Sequence, residues 1–232
     1  MIFDFSIDFV VEVIPSINVK TFEEVKERIA KIEPHVQWCH LDVTDGVFSK
    51  HPTWNNPADL ARLDTKLNVE VHLMIQNPAE VIDDWLVKPV KRVIIHAEVL
   101  TEIMRSRTSR WKLDFNGILK KCRDKEVELG VAINPDTSWE LLNPYFDKAD
   151  ILQVLTVSPG PSGQQPDWPA MLVKIKHIRG ACRGCIIEVD GGINPDSAKE
   201  TRDAGAELLV AGHYLFTHQN IEKAIESIRH ID

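Results

Sequence analysis

Eight apolar runs of strand length recur along the chain, and stretches with helical spacing lie between them. The runs are "VEVIPSI" (11 to 17), "VQWCHLDV" (36 to 43), "VEVHLMI" (69 to 75), "RVIIHAE" (92 to 98), "ELGVAIN" (128 to 134), "ILQVLTV" (151 to 157), "CIIEVDG" (185 to 191) and "ELLVAG" (207 to 212). Between the first two, "TFEEVKERIAKI" repeats Phe22, Val25, Ile29 and Ile32 at helical spacing, and after the seventh, "PDSAKETRDAGA" puts Pro195 in a first turn. Repeated strand-helix units imply a parallel sheet, and eight of them predict an α/β fold closed into a single (β/α)8 TIM barrel. An open doubly wound sheet is the alternative. Against it, no G-x-G-x-x-G follows the first run, and the notable polar residues gather at the C-terminal ends of many different runs. In a barrel those ends share one face, where active sites sit. The 232 residues suit one such domain spanning 1–232.

Composition narrows the function classes. The chain is 44% hydrophobic and 27% charged and has no low-complexity run, as expected of a globular protein. Its formal net charge is −8 and no stripe of Lys and Arg is interleaved with aromatics, so no nucleic-acid partner is expected. A phosphorylated small molecule would need a local positive site, from a metal or from backbone N–H groups. The first residues carry acids at Asp4, Asp8 and Glu12, and no window of about 18 apolar residues occurs. A cytoplasmic protein with no membrane partner is the expectation. Cys39 and Cys122 stand alone; Cys182 and Cys185 form one "CRGC" pair without a partner pair, read as incidental rather than as a redox or zinc site. No disulfide framework is implied.

The stretch "HLDVTDG", residues 40 to 46, ends the second run. In an extended chain His40, Asp42 and Thr44 share one face and Leu41 and Val43 the other. Facing water, His40 and Asp42 would be ordinary; facing into a closed sheet, they are costly unless bound to something. The other run ends add Ser16, His72, His96, Glu98, Asn134 and Asp190. His40, Asp42, His72 and Asp190 supply two imidazoles and two carboxylates, a donor set suited to one divalent ion such as Zn, Fe, Mn or Co. His96 is read as a hydrogen-bonded structural residue, and Asp45 as a turn residue with Gly46. Gly191 and Gly192 also suit a simple turn.

Taken together, "IPSI" (14 to 17), "HLDVTDG", "VHLMI" (71 to 75), "HAE" (96 to 98), "INP" (133 to 135), "TVSPG" (156 to 160) and "EVDGGINP" (188 to 195) resemble the ribulose-phosphate 3-epimerase family, in the family's order. The resemblance covers about residues 11 to 216. It implies a barrel that inverts C3 of a ketose phosphate with one divalent metal ion. By motif position it implies His40, Asp42, His72 and Asp190 as ligands and Asp42 and Asp190 as the acid/base pair. For the substrate it implies Ser16, His72 and Met74 in the pocket, and Gly160, Ser162, Gly163, Gly191, Gly192, Gly212 and His213 around the phosphate. A homo-oligomer is also implied. Epimerisation takes a proton from one face of a carbon and returns one to the other, so a carboxylate on each side is what the chemistry asks for.

Several pocket positions depart from the family. Thr44 stands where it has methionine, as does Leu155; "PGPSGQ" (159 to 164) replaces its P-G-F-G-G-Q, and Gly212 and His213 replace a Gly-Ser pair. Thr44 and Leu155 are expected to alter the apolar cap over the reacting carbon. Ser162 and His213 fall at the phosphate end, where His213 is either a cationic partner at mildly acidic pH or bulk that excludes the phosphate. The retained glycines favour phosphate binding. Two other functions stay open: a barrel that has lost catalysis and serves as a sensor, and another phosphosugar isomerase or decarboxylase.

Overall fold

The computed structural model describes residues 11–100 and 115–231. All eight apolar runs are strands: β1 (Glu12–Ile17), β2 (Trp38–Thr44), β3 (Asn68–Met74), β4 (Val90–His96), β5 (Glu128–Ile133), β6 (Ile151–Leu155), β7 (Ile186–Asp190) and β8 (Leu208–Ala211). They hydrogen-bond in sequence order, every pairing is parallel, and β8 returns to β1 to close the barrel. The strand ends differ from the sequence reading by one or two residues. Residues 97–100 are already helical, so Ala97 and Glu98 leave the fourth strand early, and the sixth stops at Leu155.

Local chemistry explains why the crossovers are helices. In the helix Phe22–Ile32, Thr21 Oγ1 accepts from the Glu24 backbone N–H at 3.2 Å and the Glu24 carboxylate accepts from Thr21 N–H at 3.0 Å, a reciprocal cap for two donors with no helical partner. Its buried stripe is Val25, Ile29 and Ile32. The helix Pro195–Ala204 starts on an Asn194 cap and stops at Gly205, whose φ of +116° a side chain would strain. Outward residues of the strands, such as Leu41, Val43, Val71, Leu73, Val93 and Ile95, pack beneath the helices in one continuous core. Burying each such side chain stabilises by roughly 1.5–3 kcal/mol.

The barrel interior is different in kind. On β2 the inward residues are His40 and Asp42, on β3 Glu70 and His72, on β4 Arg92 and His96, on β6 Gln153, and on β7 Glu188 and Asp190. Register sets Asp42 beside His72 and Leu155 beside Asp190, so neighbouring strands present these groups at matched heights. Beside them Ile14, Ile151, Leu208 and Val210 form a small apolar cluster.

No helix among the described residues is long and apolar enough to cross a membrane. Cys39 and Cys122 are buried thiols, while Cys182 and Cys185 are joined in a disulfide, which the sequence reading did not expect. The turn from the helix Trp168–Ala181 into β7 brings their Cα atoms to 5.5 Å, inside the range a bridge requires.

Candidate metal centre and substrate cavity

His40, Asp42, His72 and Asp190 each offer one donor atom, and these atoms lie within 4.8 Å of one another. His40 Nε2 is 3.3 Å from Asp42 Oδ1, 3.7 Å from Asp190 Oδ2 and 3.3 Å from His72 Nδ1. His72 Nδ1 is 3.6 Å from Asp42 Oδ1 and 3.5 Å from Asp190 Oδ2. Donors placed tetrahedrally at 2.0–2.2 Å from an ion are separated by roughly 3.3–3.6 Å, so the spacing fits a single divalent ion, as does the donor set. Both imidazoles are fully buried. Burial pushes the His40 and His72 pKa values down, but the carboxylates around them win, and both are held above the ordinary imidazole value. Asp42, although burial pushes it up, is held well below the carboxylate range by hydrogen bonds from His40 and His72. This is a pocket of negative charge that wants a cation, a proton or a metal, at its centre.

The remaining ring nitrogens are engaged from behind. His40 Nδ1 lies 2.5 Å from Glu70 Oε1, which leaves Nε2 facing the donor cluster. His72 Nε2 lies 2.9 Å from His96 Nε2, and His96 Nδ1 lies 3.1 Å from Glu98 Oε2. One proton arrangement satisfies the whole row: His72 donates from Nε2 to His96, and His96 donates from Nδ1 to Glu98, leaving His72 Nδ1 as a free lone pair. His96 must then be neutral, and burial lowers its pKa. Glu98 is in turn fixed by the Asn134 backbone N–H at 2.7 Å and by the Thr137 hydroxyl. Burial pushes Glu98 up, yet these donors and His96 hold it near 2.

Beneath this layer, Arg92 Nη1 donates to Glu70 Oε2 at 2.6 Å, lies 3.9 Å from Glu188 Oε2, and its guanidinium covers the Trp38 ring. His40, Glu70 and Glu188 also offer closely spaced donors, but Arg92 already supplies their positive charge. Glu188 is fully buried, with one oxygen accepting from Gln153 Nε2 at 2.9 Å and the other without a hydrogen-bond partner. Burial, reinforced by the charge of Glu70, holds its carboxyl well above the usual range, which favours the neutral acid.

Above the donors opens a cavity of about 290 Å³. Its volume sits near the low end of ligand sites, roughly 300–1,000 Å³, and suits a small metabolite. Asp42, Asp190, Ser16, Met74, Gly160, Ser162, Gly163, Gly191, Gly192, Gly212 and His213 all line it. Ser16 Oγ donates to Asp42 Oδ2 at 2.7 Å, which orients that carboxylate. Gly191 has φ +112°, and a Cβ there would sit 2.7 Å from Thr156 Oγ1, so only glycine lets the chain turn here. Gly163 has φ +88° and packs on the His213 ring, where a Cβ would lie 3.2 Å from Nδ1.

Some expectations are corrected. His72 does not line the cavity; it lies beneath, in the donor cluster. Thr44 does not line it either. Its hydroxyl donates to the His51 carbonyl at 2.6 Å and accepts from the Thr53 N–H, so it pins the loop after β2 instead of capping the reacting carbon. Leu155 does line the cavity. Asp45 is a turn residue that takes N–H bonds from Val47 and Phe48 and ties the loop to Gln76. His96 is hydrogen-bonded as expected, but to a candidate ligand. Glu70, Arg92, Glu188 and the cavity residues Arg28 and Asn18 were not singled out from sequence. Period-two alternation could have found Glu70 and Glu188, each two residues before a candidate ligand on the same face.

The family model for the ribulose-phosphate 3 epimerase family matches residues 12–216. The ribulose-phosphate 3-epimerase of Bacillus subtilis is 30% identical over 226 residues, covering 94% of this chain and 98% of that one. That of Chlamydia muridarum is 35% identical over 193 residues, covering 78% and 77%. Among solved structures, orotidine 5'-phosphate decarboxylase from Pyrococcus horikoshii superposes with a TM-score of 0.62 at 14% identity, covering 94% of this chain and 97% of that one, a likeness of fold alone. From the matched span and these identities, the chain belongs to the ribulose-phosphate 3-epimerase family.

Proposed function

We propose that the protein is a metal-dependent epimerase inverting C3 of a ketose phosphate, interconverting ribulose 5-phosphate and xylulose 5-phosphate or a related pentulose or hexulose phosphate. The carrying observation is that two carboxylates from separate strands, Asp42 of β2 and Asp190 of β7, reach one small cavity while sharing one pair of buried imidazoles.

Inversion needs a base on one face of C3 and an acid on the other. Asp42 and Asp190 take these roles: one removes the C3 proton, giving an enediolate, and the other returns a proton to the opposite face. For the reverse reaction the roles exchange. The two carboxylates share partners, so their protons are a property of the pair. His40, Asp42, His72 and Asp190 would hold a divalent ion of the Zn, Fe, Mn or Co type, which when bound supplies positive charge against the charge developing on the substrate. Ser16 holds Asp42 through Oδ2, and Met74 and Leu155 present apolar surface at the reacting end. Glycine backbone at Gly160, Gly163, Gly191, Gly192 and Gly212, with Ser162 and His213, receives the phosphate end.

The test is isotope exchange. Incubation with D-ribulose 5-phosphate and metal in D₂O is expected to place deuterium at C3 with formation of xylulose 5-phosphate. Absence of exchange with pentulose and hexulose phosphates alike would overturn the reading.

A further inference from the structure

The outer end of the cavity holds a cation outside the donor cluster and the glycine backbone. Arg28 projects from the helix Phe22–Ile32 and lines the cavity together with Ser162, Gly163 and His213. Among the described lining residues it is the one Lys or Arg. The side chain is half-buried, and its guanidinium lies over the Phe216 ring, 4.0 Å from the centroid. Phe216 belongs to the short helix His213–Thr217 that follows β8, so the stack fixes Arg28 between two elements flanking the cavity mouth.

Its charge has no carboxylate partner within ion-pair distance among the described residues. Glu24, one turn back, spends its carboxylate on the Thr21 and Lys20 N–H groups of the helix cap. Burial is the largest influence on Arg28 and lowers its pKa, with Glu24 and Glu27 opposing more weakly. A partly desolvated guanidinium without a counter-ion is half of an ion pair. Stacking uses only its faces, and the in-plane N–H fork stays available for bidentate contact with a phosphate. Charge balance points the same way. The inner end carries Asp42 and Asp190 and the chain as a whole is at −8, so a dianionic ligand needs local positive charge at its far end.

We propose that Arg28 binds the phosphate of the substrate. The inference rests on the ketose phosphate reading above, and adds to the backbone donors a side-chain cation delivered from the first helix. Arg28 lies outside the donor cluster, and a contact made equally in ground state and transition state affects KM and not kcat.

The experiment compares wild type with Arg28→Met and Arg28→Lys, measuring kcat and KM for D-ribulose 5-phosphate, the Ki of inorganic phosphate, and Tm. Losing a charge-assisted contact is expected to raise both KM and Ki about 10- to 100-fold in Arg28→Met, with kcat within about threefold of wild type. Arg28→Lys, which keeps the charge but not the fork, is expected to recover part of the loss. A Ki for phosphate unchanged in Arg28→Met, with only Tm lowered, would reduce Arg28 to a packing partner of Phe216 and overturn the proposal. The two readings can fail separately. If wild type turns over no ketose phosphate, binding of inorganic phosphate is followed by calorimetry; binding weakened by Arg28→Met upholds the anion site alone, and unaltered or absent binding rejects it.

Discussion

At the inner end of the cavity the functional groups are side chains, most of them buried and held by another side chain: His40 by Glu70, His72 by His96, His96 by Glu98, and Asp42 by Ser16. At the outer end the material is mostly backbone, turning on Gly163, Gly191 and Gly192 at positive φ, with Arg28 and His213 the side chains of note. The contrast follows from what each end would do in the proposed epimerase. Proton transfer and metal ligation depend on which atom carries a proton, so the inner end needs locked tautomers. A phosphate group accepts donors from many directions, so the outer end can be built from close-approaching main chain. Inner-end substitutions should therefore change chemistry or metal affinity, and outer-end ones should change binding or local folding.

The sharpest break is expected at the acid pair. Asp42→Asn and Asp190→Asn should each lower C3 deuterium exchange by about 10²–10⁴-fold or more while circular dichroism stays that of wild type. Exchange persisting in either variant would remove that residue from the two-acid scheme.

The rear partners test whether the inner end works as a unit. Glu70→Gln and His96→Ala should each weaken metal affinity about 10- to 100-fold, read by competition against a coloured chelator and independent of turnover. Glu70→Gln also leaves Arg92 beside Glu188 with one fewer counter-charge, so a lowered Tm is expected with it. Affinity equal to wild type in both would mean that β2 and β3 alone orient the two ligands.

Outer-end turns should fail differently. Gly191→Ala puts a Cβ into Thr156 Oγ1 and Val157 at a φ of +112°. A cost of about 1–3 kcal/mol in stability is expected, measured by urea denaturation, with the metal still bound. Loss of metal with unchanged stability would show that the two ends are not separable in this way.

How much of this was legible from sequence follows the same division. The barrel was legible because its outer face is a repeating apolar pattern, and His40, Asp42, His72 and Asp190 because polar residues at strand ends break that pattern. Glu70 and Glu188 were open to the same alternation, two residues before His72 and Asp190, but with Arg92 they are charged residues of a kind that ordinarily marks water, and closure of the sheet is what buries them. Thr44 was read as a pocket residue because the family it resembles carries methionine there, yet the loop after β2 folds back so that His51 and Thr53 hydrogen-bond its hydroxyl. Arg28 lies off the apolar stripe of its helix and looks like any surface cation; its place depends on the stack with Phe216, nearly two hundred residues away in the chain. Contacts set by local period can be seen in one dimension, and those set by tertiary return cannot.

The smallest expected effect is a pH dependence that belongs to the inner end alone. The ordinary Glu98 pKa is 4.5, and in the fold its carboxylate is held near 2 by His96, the Asn134 N–H and Thr137 against the opposing effect of burial. A carboxyl with a depressed folded pKa stabilises the fold fully above its unfolded value, and that contribution is lost as pH falls through the folded value. For Glu98 the loss therefore runs from about pH 4.5 down to about pH 2. Allowing for its partial exposure, the contribution is on the order of 1–2 kcal/mol. Glu98→Gln removes the titrating group, so urea denaturation of the variant should show a shallower decline across that window than wild type. Its stability near neutrality should also be lower, because the neutral amide holds the His96 N–H less strongly. Parallel pH profiles for the two proteins would mean that Glu98 titrates as it does in the unfolded chain, and the row from His72 through His96 would end in water rather than in a fixed carboxylate.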